Sequence, residues 1–163
     1  MKSIEVNMGD VAVGQGEDNL TASGIGSCLI ITLYDAKQRI GALAHTMLWA
    51  HRLSAEAWDK KEERRKVNLE SADTKYADIA IEEMLKRVLA LGAKREDLAA
   101  KLIGGANMFS AFVSDIGKES VESSRIKLKK EGIHIAGECV GGSQGRSVEF
   151  SVNTGIVTVK TKF

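Results

Sequence analysis

A thiol and an imidazole lie within reach of one another in this sequence. Cys28 ends the run Gly24-Ile25-Gly26-Ser27-Cys28 and leads straight into the apolar stretch Leu29-Ile30-Ile31-Thr32-Leu33, while His45, the first histidine of the chain, lies in Ala42-Leu43-Ala44-His45-Thr46-Met47-Leu48. A thiol is mostly protonated at neutral pH and needs a base to become a nucleophile, a task for which imidazole is well suited. Glycines ahead of a strand leave room for a substrate and free backbone N–H groups to face a developing oxyanion. Taken singly, Cys28 reads as a small buried apolar residue and His45 as a hydrogen-bonded core histidine. Taken together they point to acyl transfer, with Cys28 as nucleophile, His45 as general base and then general acid, and backbone N–H groups at Gly26, Ser27 and Cys28 as oxyanion donors.

The elements that must position this pair are a hairpin. Segments 28–34 and 40–48 flank Asp35-Ala36-Lys37-Gln38-Arg39, a loop of hairpin length, so antiparallel pairing brings Cys28 and His45 to the same end of a sheet. Short strands are expected at 4–6 and 11–13, with a polar loop over 14–19. The charged stretch 49–69 reads as a mobile loop or a solvated helix. Tyr76, Ile79, Ala80, Met84, Val88 and Leu91 recur at helical spacing over 74–91, with Gly92 as the stop. A buried strand at 98–103 ends in Gly104-Gly105-Ala106, a second helix covers about 118–130 before Gly132, and strands follow at 133–140, 147–152 and 156–160. This order predicts an α+β fold, a mixed and antiparallel β-sheet sandwich flanked by two main helices.

Composition narrows the function classes. At 163 residues and 44% apolar the chain suits one domain over 1–163, and 23 Lys+Arg against 22 Asp+Glu give no bulk pull toward nucleic acid or anionic lipid. The polar N-terminus and the lack of an apolar run of about 18 residues argue for a cytoplasmic protein without membrane insertion. There Cys28 and Cys139 should be free thiols. No paired metal-ligand spacing gathers Cys28, His45, His51 and Cys139, so neither metal nor other cofactor is expected. His51 and His134 read as loop and strand surface residues. Gly141-Gly142-Ser143-Gln144-Gly145-Arg146 matches no phosphate-binding fingerprint and reads as a tight turn, with Arg146 free to anchor a carboxylate or loop carbonyls. Proline is absent, so turns rest on the 16 glycines and on Asn and Asp.

Taken in order, Gly24-Ile25-Gly26-Ser27-Cys28, Tyr34-Asp35, 41–48, Lys75-Tyr76-Ala77-Asp78, Gly104-Gly105-Ala106-Asn107-Met108-Phe109, Ile116-Gly117 and the 141–146 turn resemble the CheD family over about residues 4–160. The resemblance implies a chemoreceptor glutamine deamidase whose fold is similar to that of deamidating toxins of the cytotoxic necrotizing factor type. It implies that Cys28 attacks the side-chain amide of a receptor glutamine, that His45 protonates departing ammonia, and that water hydrolyses the thioester. It also implies two partners, the cytoplasmic helices of chemoreceptors and a CheC-type phosphatase. The family's third catalytic residue is a threonine, commonly six positions before the cysteine, where this chain has Ala22 between Thr21 and Ser23. Either hydroxyl could orient His45 if the loop slips by a residue, though in a regular strand it would face the other way. Leu48-Trp49 replaces the usual Leu-Pro, and Glu119-Ser120 the usual Arg-Asn. Cys139 falls outside the pattern and is assigned a structural role.

The residues leave a rival class open. A chain that kept docking and lost catalysis would be an adaptor for chemoreceptors and the phosphatase, and a thiol peptidase or transglutaminase would share the nucleophile.

Overall fold

The computed structural model describes residues 2–47, 74–107 and 116–162. The expected segment 49–69, with His51, lies outside them, as do Met108 and Phe109. The elements, in chain order, are β1 (Ser3–Glu5), β2 (Val11–Gln15), β3 (Asn19–Ile25), β4 (Leu29–Asp35), β5 (Ile40–Thr46), α1 (Ala77–Ala90), a 3-10 turn (Arg95–Asp97), β6 (Leu98–Gly104), α2 (Ile116–Lys130), β7 (His134–Val140), β8 (Gly145–Ser151) and β9 (Val157–Lys162). Among the described residues they build an α+β architecture of two mixed sheets, ordered β1-β3-β8-β9 and β2-β5-β4-β6-β7, with two α-helices.

The pleat explains the layering. In β4, Leu29, Ile31 and Leu33 point to one face and pack with Ile81, Met84 and Val88 of α1 and Val121 and Leu128 of α2. Ile30 points to the other face and joins Leu43 of β5 and Ile103 of β6 against Leu20, Ala22, Val148 and Phe150 of the smaller sheet. The five-stranded sheet is thus covered on both sides, which is why β4 and β5 read as continuous apolar runs. At Gly41 a Cβ would come within 2.8 Å of the Phe150 ring, so the glycine is what lets that ring lie on β5.

Both helices end as the glycines indicate. Gly92 adopts φ +110° and Gly132 φ +72°, a left-handed conformation that closes the last turn, and Ile133 N–H returns to the Leu128 carbonyl at 2.9 Å. The unforeseen strand is β3. Asn19, Ser23 and Gly24 mark its sequence as loop, yet Leu20 and Ala22 face the core in alternation. Between Ala22 and Ile25 the register against β8 shifts, with Gly24 at φ +67°, and this bulge re-aims Ile25 inward before the chain turns to Cys28.

Candidate active site

Cys28 stands one residue ahead of β4, and the β4–β5 ladder fixes its relation to His45. Ile30 is directly opposite His45, and Leu29 opposite Thr46, whose hydroxyl donates to the Leu29 carbonyl at 2.9 Å. Cys28, two residues before Ile30, therefore shares the inter-sheet face with His45 and is its diagonal neighbour across the hairpin. The expected juxtaposition at one end of the sheet is present. Cys28 is half-buried against the inter-sheet core, and His45 is buried.

His45 is held from both sides of its residue. Its backbone N–H donates to the Asp10 carbonyl and its own carbonyl accepts from Gly9 N–H. Its ring Nδ1 lies 3.2 Å from the Val6 carbonyl oxygen. A carbonyl only accepts, so Nδ1 carries the proton and Nε2 keeps its lone pair. That Nε2 is buried and has no partner among the described residues. An unpartnered buried acceptor is costly, and here it is the atom a general base needs free.

Burial sets the charge state of both groups. Desolvation pushes the Cys28 thiol above its ordinary value, against a smaller opposing effect of its own backbone N–H. Desolvation likewise pushes His45 below the usual imidazole range, with the Val6 carbonyl and the Asp10 carboxylate opposing it. No thiol–imidazole hydrogen bond is formed. Both shifts act in the direction of the uncharged forms, thiol and neutral imidazole.

The turn carrying Cys28 is pinned by the loop after β6. Gly105 N–H donates to the Cys28 carbonyl at 2.8 Å and Ala106 N–H to the Gly26 carbonyl at 3.1 Å. A trans peptide directs its N–H opposite to its C=O, so fixing the Gly26 oxygen toward Ala106 turns the Ser27 N–H away from that loop. Among the described residues no backbone carbonyl accepts from Gly26, Ser27 or Cys28 N–H. Ser27 N–H is the donor whose direction is fixed this way. The close approach demands glycine: a Cβ on Gly104 would meet the Cys28 carbonyl oxygen, and one on Gly117, at the start of α2, would meet the Gly105 oxygen.

The hydroxyls expected to orient His45 are not brought to it. Leu20 and Ala22 face the core, so Thr21 and Ser23 face outward, where Thr21 donates weakly to the Ile4 carbonyl at 3.4 Å and Ser23 to the Glu5 carboxylate at 3.4 Å. They line a shallow hollow on the outer face of the smaller sheet with Glu149, Thr158 and Lys160. The strand alternation that β3 imposes is the physical reason. Val6 supplies the bond to Nδ1 instead, through a backbone atom that no residue type announces. His134 opens β7 opposite Ala99, at the end of β6 remote from Gly104, and is exposed. Cys139 is an exposed free thiol on β7. Arg146 is buried and donates to the Gly104 carbonyl at 3.4 Å and the Gly141 carbonyl at 2.8 Å, so of its two expected ligands the structure presents loop carbonyls. Among the described residues no three His, Cys, Asp or Glu side chains gather as a metal site, and no helix is long and apolar enough to cross a membrane.

Comparison with known proteins bears on this geometry. The family described as CheD chemotactic sensory transduction matches residues 59–161, a span that begins after both Cys28 and His45. Whole-length relatives cover the rest. A probable chemoreceptor glutamine deamidase CheD of Methanococcus vannielii is 40% identical over 96% of this chain and 94% of its own. Proteins given the same name from Pyrococcus abyssi and Clostridium botulinum are 37% and 35% identical, over 98% and 99% of this chain and 91% and 94% of theirs. Matched at that identity along nearly its whole length, the chain belongs to the CheD family.

Proposed function

We propose that this protein acts as one deamidase domain, over residues 1–163, that converts glutamine side chains on the cytoplasmic helices of chemoreceptors to glutamate. The observation that carries the reading is the His45 ring, tied through Nδ1 to Val6 with Nε2 unpartnered, on the same face as Cys28. The relatives' printed activity supplies the substrate class.

The chemistry follows from the positions. With the substrate amide over the Cys28 turn, Nε2 takes the thiol proton as sulfur attacks the amide carbon, and the carbon–oxygen double bond becomes an oxyanion facing the Ser27 N–H. The imidazolium returns that proton to the amide nitrogen, the carbon–nitrogen bond breaks, and ammonia leaves with a thioester on Cys28. Water, deprotonated by the same Nε2, attacks the thioester, and the returning proton restores the thiol and releases glutamate. The reading extends to the fold, a sandwich similar to that of deamidating toxins of the cytotoxic necrotizing factor type.

A second reading makes the protein an adaptor that binds receptors and a CheC-type phosphatase. Ala22 at the position of the family's threonine and the absence of a formed thiol–imidazole hydrogen bond favour it. The two separate by ammonia release from a glutamine-bearing receptor cytoplasmic fragment, run beside co-sedimentation with the same fragment. Release that disappears in Cys28→Ala supports the enzyme. Binding without release supports the adaptor.

A further inference from the structure

Arg146 is a buried guanidinium with no carboxylate beside it among the described residues, and its Nε has no partner. A charge taken out of water without a counter-ion is expensive, so an apolar residue of similar volume would serve a purely structural role better. What the guanidinium does instead is grip carbonyls: Nη1 donates to Gly104 and Nη2 to Gly141. Gly104 oxygen also accepts from Gly141 N–H at 2.9 Å. Both donors lie on one side of the Gly104–Gly105 peptide, and planarity sends the Gly105 N–H to the other side, where it holds the Cys28 carbonyl. The second carbonyl, Gly141, begins the turn whose Gly142 oxygen accepts from Asn107 N–H at 2.8 Å, tying the 141–146 turn to the same loop.

Resting on the deamidase reading of the Cys28 site, we infer that Arg146 is a positioning residue for that site, acting one peptide plane away through Gly104–Gly105. It sets the direction of the Gly105 N–H, and through that bond the attitude of the Cys28 turn and its Ser27 donor. Small displacements of an oriented nucleophile are costly, about a hundredfold in rate for an ångström. Truncation therefore acts on turnover more than on substrate binding.

The test compares parent, Arg146→Lys and Arg146→Met as whole proteins. Three readouts are taken: melting temperature, kcat and KM for ammonia release normalised to titrated Cys28 thiol in a Cys139→Ser background, and the iodoacetamide rate at Cys28. Expected are a kcat loss of about tenfold or more in Arg146→Met, with KM within about twofold, partial recovery in Arg146→Lys and a changed alkylation rate. A lowered melting temperature with kcat per titrated thiol and alkylation rate both unchanged overturns the inference and leaves Arg146 structural. If Arg146→Met does not fold, Arg146→Lys decides alone, since an ammonium cannot grip both carbonyls as the guanidinium does. If the parent releases no ammonia, the deamidase reading fails, and the alkylation rate still decides: unchanged in Arg146→Lys, it overturns the inference.

Discussion

His45 Nδ1 and the Val6 carbonyl oxygen are 3.2 Å apart, and this contact between a ring nitrogen and a backbone atom fixes which end of the imidazole can act as a base. Val6 directly follows β1 and is itself held by its N–H to the Thr21 carbonyl at 2.7 Å. Thr21 thus supports the site through its backbone while its hydroxyl faces outward.

Thr21→Val and Ser23→Ala should therefore leave deamidation within about twofold of the parent, as surface changes away from the chemistry do. Steady-state ammonia release checks this. A loss of a hundredfold in either would place a hydroxyl at His45 and contradict the strand alternation of β3.

Burial of His45 makes stability depend on pH in a defined direction. Its folded value lies below the unfolded one of 6.5, so the unfolded chain binds the proton first as pH falls. The unfolding free energy then drops as pH goes below 6.5 toward the lowered folded value, and is flat for this group above it. Urea unfolding between neutral and mildly acid pH should show this limb, and His45→Gln should flatten it. An identical limb in His45→Gln would assign it elsewhere.

Cys28 gives a second pH signature. Because burial raises the thiol and no imidazolium is paired with it, alkylation by iodoacetamide in a Cys139→Ser background should climb only as pH enters and passes the ordinary cysteine range. A rate already at plateau near neutral pH would mean a preformed thiolate–imidazolium pair.

Gly117 tests close packing against propensity. Alanine for glycine in a helix normally stabilises by about 1 kcal/mol. At Gly117 the added Cβ would meet the Gly105 backbone oxygen, whose peptide also carries the Ala106 N–H that holds the Gly26 carbonyl. Gly117→Ala should lower the melting temperature and the activity together, and a higher melting temperature would show that α2 can shift freely.

Much of this arrangement was legible in the sequence, for reasons that particular residues make plain. The hairpin bringing Cys28 to His45 could be read because a loop of hairpin length separates two apolar runs, and the strands Leu29–Asp35 and Ile40–Thr46 are buried on both faces, as a doubly covered sheet requires. α1 could be read because Ile79, Ala80, Met84 and Val88, all buried, repeat at helical spacing and Gly92 ends them, although Leu91 of the same series is exposed. β3 was hidden because its core contacts are sparse among Ser, Gly and Asn, and the outward direction of Thr21 and Ser23 followed only once that strand was known. The Val6 contact was hidden altogether, since a backbone carbonyl has no residue signature. Gly104-Gly105 read only as the end of a strand; what each approaches appeared with the structure, the Cys28 carbonyl for Gly104 and Gly117 and Val121 of α2 for Gly105.

The most direct test is a peptide-resolved mass map of a chemoreceptor cytoplasmic fragment, from the same organism, after incubation with the parent, Cys28→Ala and His45→Ala proteins. The account predicts conversion of specific glutamines to glutamates by the parent, none above background with Cys28→Ala, and a rate lower by about a hundredfold to ten-thousandfold with His45→Ala. Conversion by Cys28→Ala at the parent's rate would contradict it.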